Sequence, residues 1–465
     1  MWPSRTDFSS AGRRKHRAWL TADCAHPWYG APMATSTRDA GLIRTVGSWG
    51  LAASIVNMVV GASIFVVPAA LAANVGPYAP LAILVCAIAV GSVTICFAEG
   101  GSRIPSSGGA YGYIEAAFGP LTGYATGTLL WFSDVLACGG IAAALADVVV
   151  TVLPQKIMVA AHAFVILATV GGIALVNIGG VARGMRLVNA ATLLKLVPLA
   201  IFVIVGAFAT HSGNFHGAGL SGSTGLGRAL ILAVFAFMGM ETSLCASGEV
   251  MRPERTIPRA LALAMGSVTL LYVAVQIVAQ GVLGPSLASS PVPLADAMAR
   301  INPTLRMLML AGAALSMFGF LSSDILGSPR ILFAFARDGL LPSVLGRLHA
   351  RTRAPHVAIT CYAILAAILA LSGTFAELAV LSALASAAFY IAGCAAAWKL
   401  ARHGVAQAGT PLKFRGLGSA TVVGCASMMA LIALASRDEI LGLVALIGIS
   451  ATVYVTQTRM ALRRA

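Results

Sequence analysis

Residues Gly47–Leu71 read GSWGLAASIVNMVVGASIFVVPAAL. The run is apolar almost throughout and exceeds the roughly 20 residues that a helix needs to cross a bilayer. Yet Gly61-Ala62-Ser63 interrupts its middle, and Pro68 follows. A second run, Ala229–Val250, reads ALILAVFAFMGMETSLCASGEV, with Gly239 at its centre and Glu241 and Thr242 directly after. Interruptions of this kind at matching positions of two halves point to a binding site at the bilayer midplane. A helix broken there exposes N–H groups at the start of its second half, which attract an anion. It also exposes carbonyls at the end of its first half, which accept from an ammonium. An α-amino acid carries both charges. Backbone left open at this depth is tolerated only beside a polar cavity or a ligand. Glycine also lets membrane helices approach closely, so on Gly61 alone packing is an equal reading.

Working outward, ten further apolar segments accompany these two. The set runs 46–72, 78–98, 122–152, 157–178, 188–209, 228–248, 260–283, 306–327, 356–373, 377–399, 417–436 and 440–457. The interrupted runs are the first and the sixth. The chain is 58% hydrophobic and 10% charged, with a mean hydropathy of +0.87. Soluble domains carry about 25% charged residues, and a soluble fold could not cover so much apolar surface. The expected class is therefore an all-α integral membrane protein of about twelve spanning helices.

The formal charge of +15 belongs to orientation rather than to nucleic-acid binding. With the N-terminus inside, 25 of the 31 Lys and Arg fall on inner segments, five on outer segments and helix edges, and Lys195 inside a span. That asymmetry sets both termini on the cytoplasmic side of the cell membrane. Residues 1–45 form a basic polar stretch containing Arg13-Arg14-Lys15, expected to be a disordered cytoplasmic tail, with Met33 an alternative start. No apolar stretch of signal-peptide type precedes Val46. The eight cysteines include no CxxC pair, so neither a disulfide framework nor a metal site is expected. His162, His211 and His216 lack metal-ligand spacing, and for His162 a satisfied helix contact is the expected role. GGAYGYIEAAFGP is glycine-rich without a phosphate-loop pattern, which argues against an ATP-driven cycle. With no nucleophile elbow or HExxH either, no catalytic residue is assigned and the chain is not read as an enzyme.

Charges inside spans cost at least about 2.5–3.5 kcal/mol each, so each becomes a functional hypothesis. Lys195 lies in LVNAATLLKLVPLAIFVIVGAF, about seven residues into its span. Facing the bundle, it is placed to gain and lose a proton during a cycle; alternatively it reaches the inner headgroups. Glu241 either gates the site or carries a proton, or simply bonds neighbouring backbone. Asp324, in FLSSDILGSPR, either meets a cationic group of the ligand or makes a polar contact between helices. Asp134 and Asp147 are read as packing or vestibule residues.

These blocks together resemble the amino acid permeases of the amino acid–polyamine–organocation superfamily. Gly61-Ala62-Ser63-Ile64-Phe65 is similar to the family's glycine-rich break. Pro105-Ser106-Ser107-Gly108-Gly109-Ala110-Tyr111 and Phe118-Gly119-Pro120-Leu121 resemble its loop before helix three. Phe235-Ala236-Phe237, Gly239 and Glu241 resemble its helix six, continued by Glu249-Val250, Arg252-Pro253-Glu254-Arg255 and Ile257-Pro258-Arg259-Ala260. Arg330 and Ala336-Arg337-Asp338-Gly339-Leu340-Leu341-Pro342 resemble its end of helix eight. The match runs from about residue 46 to at least 400. It implies a five-plus-five inverted repeat (about 46–210 and 228–400), with residues 401–465 adding two further helices and a short cytoplasmic C-terminus. It implies a substrate carboxylate on the backbone around Ala62, Ser63 and Ile64, and an ammonium on carbonyls near Val59, Phe235 and Met238. Lys195 resembles the helix-five Lys that replaces a sodium ion in proton-coupled members, and Glu241 the helix-six gate or proton site. The chain departs from the pattern at Ala62-Ser63, at Phe235 where Trp is frequent, and at Asp324 where many members have an aromatic or small residue. That acid directs attention to cationic substrates. The reading is a permease for amino acids or polyamine-like amines, coupled to protons and without other cofactor, working in the bilayer as a monomer or homodimer. Its alternatives are an exchanger and a non-transporting sensor.

Overall fold

The computed structural model describes residues 46–105, 109–151, 153–180, 195–215, 222–244, 250–407 and 410–464. Several features named above lie outside them: the basic tail of residues 1–45 with Met33, the loop residues Ser106, Ser107 and Gly108, residues 188–194 of the fifth apolar segment, and His216 and Glu249.

The described residues are overwhelmingly helical. In chain order the helices are α1 (Ser48–Val59), α2 (Ser63–Val75), α3 (Ala79–Arg103), α4 (Ala110–Phe118), α5 (Pro120–Val150), α6 (Met158–Ile178), α7 (Lys195–Ala207), α8 (Gly222–Ala236) and α9 (Met240–Leu244). There follow α10 (Pro253–Leu283), α11 (Pro293–Ala299), α12 (Pro303–Gly327), α13 (Pro329–Arg337), α14 (His356–Ser372), α15 (Phe375–Arg402), α16 (Leu417–Ala433) and α17 (Arg437–Arg464). Eight helical stretches among the described residues are long and apolar enough to cross a membrane. Four shorter apolar helices, α1, α7, α14 and α16, accompany them. This is a multi-pass membrane protein.

The starts of the helices follow from local chemistry. Proline opens α5, α10, α12 and α13, where its missing N–H has no intrahelical partner to lose. The Asn302 side chain caps α12, and Thr374 and Glu377 form a reciprocal capping box at α15. The short helices α4 and α11 lie between spans, and α13 continues the stretch that α12 begins. The sequence reading gave them no helix, because nine residues or fewer carry too little periodicity against long apolar neighbours.

Helix α5 is the centre of the bundle and packs along α15, α14 and α12. Small residues allow the close approach. A Cβ on Gly139 would stand 2.9 Å from the Leu369 side chain, and one on Gly140 would stand 3.3 Å from Leu378. Ser133 of α5 bonds the hydroxyls of Ser382 and Ser386 on α15 at 2.9 and 2.7 Å. On the outside, Ile88, Val159, Phe164, Phe208, Leu270 and Val422 are each exposed. In water these would be unfavourable; in a bilayer they meet lipid tails.

Candidate functional site

The first apolar run is two helices. α1 stops at Val59, α2 starts at Ser63, and residues 60–62 join them. Pro68 does not make the break: it sits inside α2, six residues in, and the helix continues through it. The break replaces helical hydrogen bonds with bonds from three other helices. The Lys195 ammonium on α7 donates to the Asn57 carbonyl and, at 2.8 Å, to the Val60 carbonyl. The Tyr272 hydroxyl on α10 donates to the Val59 carbonyl at 2.7 Å. Ser316 on α12 donates to the Gly61 carbonyl at 2.9 Å. Lys195 is fully buried, so it faces the bundle and does not reach the headgroups. On the other side of the break, the amides of Ala62, Ser63 and Ile64 take no backbone acceptor among the described residues. They open the N-terminus of α2, where the helix dipole favours negative charge.

The second run also breaks. α8 ends at Ala236, α9 begins at Met240, and Gly239 between them has φ +115°. Only glycine adopts that region at low cost. A Cβ here would also meet the Met58 carbonyl group at 3.1 Å, so the two breaks lie against each other. Glu241 folds back over its own break. Its carboxylate accepts from the Gly239 N–H at 3.2 Å and from the Tyr390 hydroxyl of α15 at 2.8 Å.

A cavity of about 30 Å³ lies where the breaks meet. That holds about two waters, so a substrate enters only if the walls move. Val59, Gly61, Ala62, Ser63, Phe235, Met238, Gly239, Glu241 and Asp324 all line it, with Met58 and Phe320 as apolar walls. Ile64 points elsewhere, into a smaller space with Tyr272 and Gln276. The open carbonyl near Val59 is not that of Val59 itself. The Val59 carbonyl already accepts from Tyr272 and from the Gly61 amide at 2.8 Å, so both its lone pairs are engaged. The neighbouring carbonyls of Met58 and Met238 take no backbone donor among the described residues and stand in its place.

Asp134 carries the expectation of a packing or vestibule residue. It lines the cavity from α5, and Ser328, at the turn from α12 to α13, lies 2.7 Å from its carboxyl and 2.9 Å from that of Asp324. Tyr362 on α14 donates to the other oxygen of Asp324. Asp147, by contrast, is exposed and pairs with His162 at 3.1 Å, well away from the cavity lining.

The family model for amino acid permeases matches residues 46–461. The chain belongs to that family. It is similar to a transporter of Mycobacterium tuberculosis, 29% identical over 320 residues, which cover 63% of this chain and 66% of the relative. The chain thus spans just under two thirds of that relative's length. It is also similar to the branched-chain amino acid permease of Lactococcus lactis, 28% identical over 368 residues, or 72% of this chain and 77% of the relative. The methylthioribose transporter of Bacillus subtilis is 25% identical over 344 residues, covering 70% and 74%.

For a permease, the site residues named from sequence fall into two sets. The break residues are brought together around one cavity. Lys195 is not in the cavity at all but behind it, holding the carbonyl end of α1. The polar partners Tyr272, Ser316, Ser328, Tyr362 and Tyr390 escaped the sequence reading. Four are single hydroxyls in apolar helices and Ser328 sits at a turn, and only packing reveals which neighbour each meets.

Proposed function

We propose that this permease is a secondary active transporter that moves an amino acid or related amine across the cell membrane by alternating access, driven by protons. Twelve spanning helices, ten of them in a five-plus-five inverted repeat with both termini inside, would carry the motion; the positive-inside asymmetry of the sequence supports that arrangement.

One observation carries the reading: two interrupted helices meet at a single cavity, with open amides on one wall and open carbonyls on the other. A substrate carboxylate fits the amides of Ala62, Ser63 and Ile64, and its ammonium fits the carbonyls of Met58 and Met238. Lys195 supports the coupling role. As an ammonium it supplies the donors that α1 lacks where its helix ends. Loss of a proton weakens those bonds and frees the break to move. A buried cation with carbonyl partners is stable only while those bonds persist, so protonation and the geometry of the break are linked.

The test is uptake into proteoliposomes with and without an inward proton gradient. The wild-type protein should accumulate substrate in response to the gradient. Lys195→Ala, shown to be folded and monodisperse, should lose gradient-driven uptake almost completely. Unchanged gradient-driven uptake in that variant would sink the coupling role.

A further inference from the structure

The cavity has a charge problem that the shared amino acid backbone does not solve. Three carboxyl groups line it, Asp134, Glu241 and Asp324, and no Lys, Arg or His is among its lining residues within the described part of the chain. The buried Lys195 ammonium is occupied by the Asn57 and Val60 carbonyls. Uncompensated carboxylates in a dry site are strongly unfavourable. Glu241 is bonded by the Gly239 amide and Tyr390. Asp134 and Asp324 have a different arrangement. Both reach the Ser328 hydroxyl, which has one hydrogen to give. The second contact becomes a hydrogen bond when one carboxyl carries a proton of its own. The pair is thus built to hold a single proton, with Tyr362 donating to Asp324 from behind.

We infer that the Asp134–Ser328–Asp324 pair is the subsite for a positive group on the substrate, and that the substrate is an organic cation bearing an ammonium or guanidinium besides, or instead of, the α-amino acid moiety. This deepens the transporter reading and rests on it. On binding, a substrate N–H donates to the carboxylates, and its positive charge offsets the negative charge that the singly protonated pair retains. A neutral side chain would gain no charge-assisted bond from the pair. The groups facing the pair are Cys138 on its own helix α5, Glu241 across the second break, Tyr362 on α14 and Tyr390 on α15. None of these supplies a cation, so the substrate does.

The decisive experiment compares leucine, lysine and putrescine as labelled substrates in proteoliposomes, for wild type, Asp324→Asn and Ser328→Ala. The expected result is uptake of lysine, putrescine or both at least about tenfold faster than leucine. Asp324→Asn should reduce it by about tenfold or more, the scale of a lost charge-assisted hydrogen bond. Ser328→Ala keeps both acids and serves if Asp324→Asn fails to fold; it should reduce cation uptake severalfold and alter its pH profile. Leucine uptake equal to that of the cations and insensitive to both variants overturns the cation subsite and leaves the transporter reading standing. If no compound is carried, thermal stabilisation by the same probes decides. Stabilisation by lysine or putrescine that Asp324→Asn removes supports the subsite without transport. Stabilisation by none of the probes overturns it.

Discussion

The two interrupted helices solve one problem in opposite ways. The break between α1 and α2 is held from outside, its carbonyls bonded by Lys195, Tyr272 and Ser316 from three different helices. The break between α8 and α9 is held largely from within, by Glu241 two residues beyond Gly239, to which Tyr390 also donates. The first holds its backbone with a cation and leaves its amides open. The second covers its amide with a carboxyl group and leaves a carbonyl open. The difference suggests a division of labour: the first break is a joint whose stiffness depends on neighbouring helices and on a proton, while the second is a local latch.

The largest effect that would break this comparison is at Gly239. Any side chain there meets both a left-handed backbone and the Met58 carbonyl group. Gly239→Ala should cost about 1–3 kcal/mol of stability from strain alone, and it should separate the two breaks. Thermal denaturation in detergent and proteoliposome uptake should both fall. Normal uptake would show that the contact between the breaks is incidental.

The latch is tested next. Glu241→Gln keeps an oxygen to accept from Gly239 but removes the charge. Bonds to charged groups contribute about 1.5–3 kcal/mol, so uptake should drop by roughly tenfold. If the latch also carries a proton, the variant's uptake should respond less to pH than the wild type's. A variant with full activity and unchanged pH response would reduce Glu241 to a local backbone contact, the plainer of the two readings its sequence allows.

How much of this was legible beforehand follows from the kind of signal each residue leaves. The breaks were visible because Gly61 and Gly239 interrupt long apolar runs, and Lys195 because a cation inside a span is rare. Pro68 was misleading: a proline in a membrane helix does not have to end it. The role of Asp134 was invisible because its meaning depends on Ser328, 194 residues away. That the open carbonyl near Val59 is not that of Val59 itself was hidden for a related reason. A carbonyl has two lone pairs, and nothing in the sequence says that Tyr272, 213 residues on, fills one of them. Local composition records where backbone is interrupted; it does not record which side chains come to complete it.

The smallest effect is the sharpest test of the joint. Ser316→Ala removes one neutral donor from the Gly61 carbonyl and leaves Lys195 and Tyr272 in place. A neutral hydrogen bond contributes about 0.5–1.5 kcal/mol net, so a loss of about two- to tenfold in uptake is expected, at the lower end if water reaches the freed carbonyl. The comparison with Lys195→Ala is what matters. If the cation sets the joint, Ser316→Ala should lower the rate while keeping its full dependence on the proton gradient. If Ser316→Ala removes gradient dependence as completely as Lys195→Ala, the three donors act as one unit, and coupling belongs to the geometry of the break instead of to the lysine. Measuring initial rates for both variants across a series of imposed gradients separates the two cases, because a weakened joint changes the height of the curve and a lost proton site changes its slope.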